Sequence, residues 1–207
     1  MNRLAIAGAS GHGLVAADIA EACGWKQIEF FDDCFPGRMD HHGWPISGTI
    51  PQLLERKAEF DGVFVAIGNN RIRARVLGLF SGQGSNVVTL IHPSAVVSSR
   101  AHLGEGSVVM PLAVVNANAS VGVGCILNTA STVDHDCQLG ECVHISPGAH
   151  IAGAVYIGRN SWIGIGASVR QCIVIGNSVI VGAGAAVVQD IPDGITVVGI
   201  PAKPLST

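Results

Sequence analysis

The chain carries little charge: only 13% of its residues are Asp, Glu, Lys or Arg, and the net charge is −3. Such a chain offers no basic field to a nucleic acid. It has no CxxC pair, which argues against a zinc knuckle or a thioredoxin-like motif. No apolar run approaches the length needed to span a bilayer. The N-terminal stretch MNRLAIAGAS lacks a signal-peptide design, because its short apolar run leads into a Gly-rich turn rather than a cleavage site. A cytoplasmic protein with no membrane span and no nucleic-acid partner is expected. The six cysteines (Cys23, Cys34, Cys125, Cys137, Cys142, Cys172) are then expected as buried free thiols in a reducing compartment. Disorder is not expected, since 48% of the residues are apolar and can bury a sizeable core.

What the chain does have is a period of six. From Ile91 to Val187 every sixth residue is aliphatic, seventeen positions without a slip. Neither a helix nor an ordinary strand has this period, and hexapeptide repetition signals a parallel β-helix. Four residues after each aliphatic the residue is mostly small, as at Ala113, Ala119, Cys125, Cys137 and Ala167. A large and a small residue alternating inward let coils stack closely, and cysteine serves there as a small hydrophobe. Glycine follows the aliphatic at 104, 122, 140, 158 and 176. That spacing of 18 implies three hexapeptides per coil and about five coils, with glycine supplying an unusual backbone angle at one corner. The proline-containing tail from Pro192 to Thr207 is expected to cover the open end.

Residues 1–86 read differently, as strands alternating with helices. Strands are expected at the apolar run Arg3–Ala9, at Gln27–Phe31 and at Gly62–Ile67, with a last one at Val87–Ile91 leading into the repeat. Helices are expected from Leu14 to Cys23, near Pro51–Ala58 and near Ile72–Phe80, and a Pro/Gly-rich loop through Pro36 and Pro45. This alternation gives a small parallel sheet. Two domains follow: an α/β, Rossmann-like unit over 1–86 and a parallel β-helix over 87–207.

Residues 18 apart stack in one column, and this tests every constellation. Asp134-His135-Asp136 lies in a turn, with Gly153 one coil above His135 and Ala117 one coil below. A histidine beside small neighbours has space for a substrate, and an adjacent carboxylate can hold its tautomer and raise its basicity. A solvated turn is the plain alternative. His102, His144 and His150 do not share a column, so a three-His zinc site could form only across subunits, and no metal is expected. Gly8-Ala9-Ser10-Gly11-His12-Gly13 follows a strand and precedes a helix, where backbone amides can bind phosphate. Its glycines do not match the dinucleotide fingerprint, and a simple tight turn is the alternative. Asp32-Asp33, at the next strand end, could accept hydrogen bonds from a ribose or base, or be exposed turn carboxylates.

The chain resembles the sugar acetyltransferases of the left-handed β-helix superfamily. Within it, the nucleotide-sugar 4-amino N-acetyltransferases are the nearer likeness, and the sialic-acid O-acetyltransferases are related. The resemblance rests on Gly-Ala-Ser-Gly-His, Phe31-Asp32-Asp33, Ala66-Ile67-Gly68-Asn69-Asn70, Asn128-Thr129-Ala130, His135-Asp136-Cys137, His144-Ile145-Ser146 and Val198-Gly199-Ile200-Pro201-Ala202-Lys203. It implies an acetyl-CoA-dependent N-acetyltransferase acting on a nucleotide-linked 4-amino sugar. His135 would be the general base and Asp136 its acidic partner, where relatives often carry Glu. Ser10, Gly11 and His12 would hold the phosphates, Asp32 and Asp33 the nucleoside, with Ile67 and Gly68 lining its pocket. His144 and the Gly153 amide would meet the thioester, Ile165 and Ala183 would line the pantetheine slot, and Lys203 would approach the CoA phosphates. The resemblance also implies a homotrimer with CoA in the cleft between β-helices. Trp162, Ile165 and Val174 are outward apolar residues consistent with such packing. O-acetylation of a sugar hydroxyl uses the same base and co-substrate and is the alternative. A metal hydrase on the same β-helix is a further alternative that metal analysis would settle, whereas a non-catalytic trimeric scaffold would leave the N-terminal turn and His135 unexplained.

Overall fold

The structure is a computed structural model and describes residues 2–205; Met1, Ser206 and Thr207, including the last two tail residues, lie outside the described residues. The chain divides into two compact units, Met1–His92 and Pro93–Thr207.

The first unit is a three-stranded parallel sheet with helices. In chain order its elements are β1 (Arg3–Ala7), α1 (Gly11–Ala22), β2 (Gln27–Phe31), β3 (Asp40–His41), β4 (Trp44–Pro45), α2 (Ile50–Arg56), β5 (Gly62–Val65) and α3 (Asn70–Ser81). The strand order is β2-β1-β5, so β1 is central and its Leu4–Ala7 side chains are fully buried. Burial on both faces explains why these strands read as continuous apolar runs. Thr49 and Gln52 form a reciprocal capping box at the start of α2, and the Asn69 side chain caps α3.

Two details differ from the sequence reading. Helix α1 starts at Gly11 rather than Leu14, because Gly11 and Gly13 are helical and not part of the turn. A Cβ at Gly13 would run into the Gly8 carbonyl, while Gly8 itself has φ +110 and lies under Ala66. The glycines therefore serve close packing of turn against helix. The Pro/Gly-rich loop contains a short antiparallel hairpin, β3–β4. Its two turn residues, His42 and Gly43, have φ 54 and 97, as two-residue hairpin turns require.

The second unit is a parallel β-helix of two-residue strands. Strands 18 residues apart pair in parallel, as in Val114↔Thr132 and Thr132↔His150, which gives three hexapeptides per coil. One face carries six such strands and another five. The aliphatic of each repeat points inward. Leu127, Val133, Ile145, Ile157, Ile163 and Ile175 are fully buried, each stabilising by roughly 1.5–3 kcal/mol. The small-residue column also satisfies polar groups between coils. Ser107 Oγ donates to Gly122 O and accepts from Cys125 N, and Cys125 Sγ and Cys137 Sγ donate to Gly140 O and Ala152 O. Cys125, Cys137 and Cys142 are buried free thiols, but Cys23, Cys34 and Cys172 are exposed.

The glycine column at 104, 122, 140, 158 and 176 needs a correction. These residues do not adopt positive φ. A Cβ at Gly122 would sit 2.7 Å from the Gly140 carbonyl carbon and oxygen, so the column is glycine because stacked turns touch backbone to backbone. The left-handed angle falls two residues later, three after the aliphatic. Leu112, Asn118, Ala130, Asp136, Ala154, Asn160, Cys172 and Ser178 occupy it with φ between 53 and 63, alternating with glycines such as Gly124 and Gly148. The tail pairs Thr196–Val198 with Ile180–Val181 and folds Lys203–Pro204 back antiparallel. Val197 is buried against the core, with Ile195 and Ala202 packed beside it.

Candidate active site

Three groups of expected site residues come together, each on its own turn or face. The first is at the C-terminal edge of β1 and β2. Ser10 is the N-cap of α1 but makes no side-chain cap hydrogen bond, and Ser10 and Gly11 are exposed. His12 lies in the first turn, its Nε2 is buried without a hydrogen-bond partner, and its ring tilts against Phe64. Burial, and then the charge of Arg73, lower its pKa to about 4, so the imidazole is neutral at pH 7. Asp32 Oδ2 accepts from Ala9 N at 2.8 Å and Oδ1 from Cys34 N at 2.9 Å. Burial alone would raise its pKa, but those two amides outweigh it and hold the carboxyl below its ordinary value. Asp32 thus braces the Gly-rich turn, together with Arg38, which donates to Ala9 O, and His41 against Ser10 O. Asp33 is exposed and accepts from Ile50 N at 3.3 Å. Ile67 and Gly68 follow β5, half-buried, with their carbonyls accepting from the buried Arg73 guanidinium.

The second group is on the β-helix turn after strand Thr132–Val133. His135 Nδ1 and Asp136 Oδ2 are 2.8 Å apart. An ionised carboxylate only accepts, so Nδ1 carries the ring proton and Nε2 is left as the basic nitrogen. The hydrogen bond to Asp136, followed by the charge of Asp134, raises the pKa of His135 above 6.5. Both side chains are open, 60% and 51% exposed, so a substrate can reach the ring. Gly153 sits one coil above, and a Cβ there would lie 2.6 Å from Nε2. Any other residue there would crowd the His135 ring. Asp134 Oδ1 accepts from His135 N at 2.8 Å, which fixes the turn. From the coil below, Asn116 donates to Asp134 at 2.9 Å and Asn118 to Asp136 at 2.6 Å.

The third group is an apolar groove of about 390 Å³ at a different turn and its adjoining face. Ile165 and Ala183 line it, with Ser146, Trp162, Ile180 and Gly182 beside them. His144 pairs with Trp162 across adjacent coils and stacks on its ring, centroids 4.8 Å apart. His144 Nε2 lies 3.2 Å from Asn128 Nδ2, and Trp162 Nε1 donates to Ser146 Oγ at 2.6 Å. The sequence reading assigned no site role to Trp162, Ser146 or Asn128. The signal was present in the spacing, since 144 and 162 share one column and 128 and 146 share another. Lys203 is exposed on the terminal antiparallel strand, paired with Val198, which lies against Gly182 of the groove lining. Among the described residues no cluster of three or more His, Cys, Asp or Glu could hold a metal.

A parallel β-helix with an open His–Asp pair on one corner and an apolar groove on another, preceded by a small parallel-sheet unit, defines a hexapeptide-repeat acyltransferase. Residues 3–78 match the PglD N-terminal domain family. The acetyltransferase domain of PglB from Neisseria gonorrhoeae FA1090 is 49% identical, with a TM-score of 0.94 over 99% of this chain and 100% of that one. PerB from Caulobacter crescentus, solved in complex with CoA and GDP-perosamine, is 37% identical with a TM-score of 0.92, over 100% and 98% of the chains. The UDP-N-acetylbacillosamine N-acetyltransferase of Bacillus subtilis (strain 168) is 38% identical over 113 residues, a stretch that spans 53% of this chain and about half (52%) of that enzyme. The chain belongs to the PglD-type acetyltransferase family.

Proposed function

We propose that this protein transfers the acetyl group of acetyl-CoA to the amino group of a nucleotide-linked 4-amino sugar. The observation that carries this reading is the His135–Asp136 pair, with Nε2 left open by Gly153. The relatives support it: the PglB domain has been solved with acetyl coenzyme A and PerB with GDP-perosamine. Residues 1–86 form the nucleotide-sugar unit and residues 87–207 the acetyl-CoA unit, in a cytoplasmic enzyme.

His135 Nε2 takes the proton as the sugar amine attacks the thioester carbonyl, and Asp136 steadies the imidazolium that results, a contribution on the order of 10²–10⁴-fold. The new C–N bond forms, the C–S bond breaks and CoA leaves as the thiol, its sulfur taking the proton back from the His135 imidazolium, which returns to the neutral base. The Gly153 N–H, which has no backbone acceptor among the described residues, meets the developing oxyanion. No acyl-enzyme is needed, because holding both substrates supplies much of the rate. Ile165 and Ala183 receive the pantetheine arm, with His144 near the thioester and Lys203 toward the CoA phosphates. Ser10, Gly11 and His12 hold the diphosphate, His12 as a neutral donor. Asp33 reaches the nucleoside from its exposed position, while Asp32 shapes the turn beside Ile67 and Gly68. The enzyme works as a homotrimer.

Incubation with acetyl-CoA and UDP-, GDP- and dTDP-linked 4-amino sugars, read by mass spectrometry, tests the reading. One nucleotide-linked amine is expected to be acetylated while the free sugars are inert. Acetylation of a hydroxyl on a free sugar, with every nucleotide-linked amine untouched, would overturn it in favour of O-acetyl transfer.

A further inference from the structure

We infer that Asn118 is a positioning residue for the base: it orients the Asp136 carboxylate so that Asp136 in turn orients the His135 ring. This rests on the reading of His135 as the base. Asp136 is short, about half exposed, and occupies a left-handed turn position at φ 60. A terminal carboxylate torsion is broad and would wander unless both oxygens were engaged. Both are: Oδ2 meets His135 Nδ1 at 2.8 Å, and Oδ1 accepts from Asn118 Nδ2 at 2.6 Å. Asn118 stands one coil below in the same left-handed position, φ 63, so the coil spacing itself brings amide to carboxylate. The neighbouring rung has a different duty. Asn116 holds Asp134, and Asp134 accepts from the His135 main chain rather than its ring. One Asn–Asp rung therefore sets the backbone of the base and the other sets its ring. Of the groups facing His135, Asp134 and Asp136 are the charged ones on its own turn. Asn116 and Asn118 below and Gly153 and Ala154 above are neutral.

The inference is tested with Asn118→Ala. Alanine is tolerated at this corner, as Ala130 and Ala154 hold it at φ 54 and 57. The His135 ring is titrated by NMR in both proteins, a readout independent of substrate. The histidine pKa, raised in the native protein, is expected to fall toward the ordinary 6.5. The kcat should drop roughly 3- to 10-fold, the acidic limb of the pH–rate profile should move to lower pH, and KM for acetyl-CoA should stay unchanged. Asn118→Gly, free of strain at positive φ, serves if the alanine variant folds poorly. A native His135 titration together with native kcat would overturn the role of Asn118. His135→Ala is run alongside. Full activity there would sink the base assignment itself, whereas an inactive His135→Ala beside a fully native Asn118→Ala would sink only this inference.

Discussion

At the residue scale, the chemistry depends on which nitrogen of His135 is free. Asp136 claims Nδ1, and the missing side chain of Gly153 opens Nε2. As the proposed base, His135 works only when neutral, and its pKa is raised above 6.5. The rate should therefore climb with pH through a limb lying above 6.5 and flatten beyond it. His135→Ala should lower kcat/KM by about 10²–10⁴-fold and abolish that limb, with acetyl-CoA binding retained in calorimetry. A variant keeping more than about a tenth of kcat/KM would remove His135 as the base. The triplet and its glycine neighbour were legible, because an 18-residue coil makes vertical neighbours a matter of arithmetic. The stack of His144 on Trp162 was not read, although the two are 18 apart. An outward aromatic on a β-helix face reads as an interface residue, and only the ring geometry ties it to the groove.

At the scale of elements, the corners of the coil divide two duties that the sequence blurs. The glycine column removes Cβ atoms where turns touch, and the position two residues later takes the left-handed angle, even for Leu112 and Cys172. The repeat period and the strand placement were legible because inward aliphatics are obligatory. The angle was not, because Asn, Asp, Ala, Cys, Ser, Leu and Gly all occupy that corner and leave no compositional mark. The start of α1 was missed for a related reason: Gly11 and Gly13 read as turn residues, yet both are helical and Gly13 serves close packing against Gly8. That helix carries a pH-dependent liability. The pKa of His12 is about 4 in the folded state and about 6.5 in an unfolded chain. The unfolded state thus takes up a proton first, and stability is lost as pH falls from 6.5 toward 4. The loss should reach on the order of 2–3 kcal/mol by pH 4. Urea unfolding of the N-terminal unit at pH 7, 6 and 5 should show the midpoint falling, and His12→Gln should flatten the trend. A wild-type midpoint constant across that range would contradict it.

At the scale of the whole molecule, one placement governs the mechanism. His135 and Gly153 stack on the turn after strand Thr132–Val133, whereas Ile165 and Ala183 stack on the turn after strand Trp162–Ile163. These are different corners of the coil, with the face of His150–Ile151 and Ser168–Val169 between them. Trp162, Ile165 and Ile180 are 40%, 59% and 49% exposed, an apolar surface. Base and groove are thus proposed to meet only where two copies of the chain abut, in a particle of three times 21.3 kDa. Subunit mixing tests this most directly. His135→Ala, lacking the base, and Ala183→Trp, with the groove filled, should each be inactive as homotrimers. The whole population reassembled from equal amounts should regain about a quarter of the native activity, and its mixed trimers about a third, since random assortment across a head-to-tail interface pairs an intact base with an intact groove in those shares of clefts. Mixed trimers verified by native mass spectrometry that regain no activity would place base and groove on the same chain and contradict the shared site.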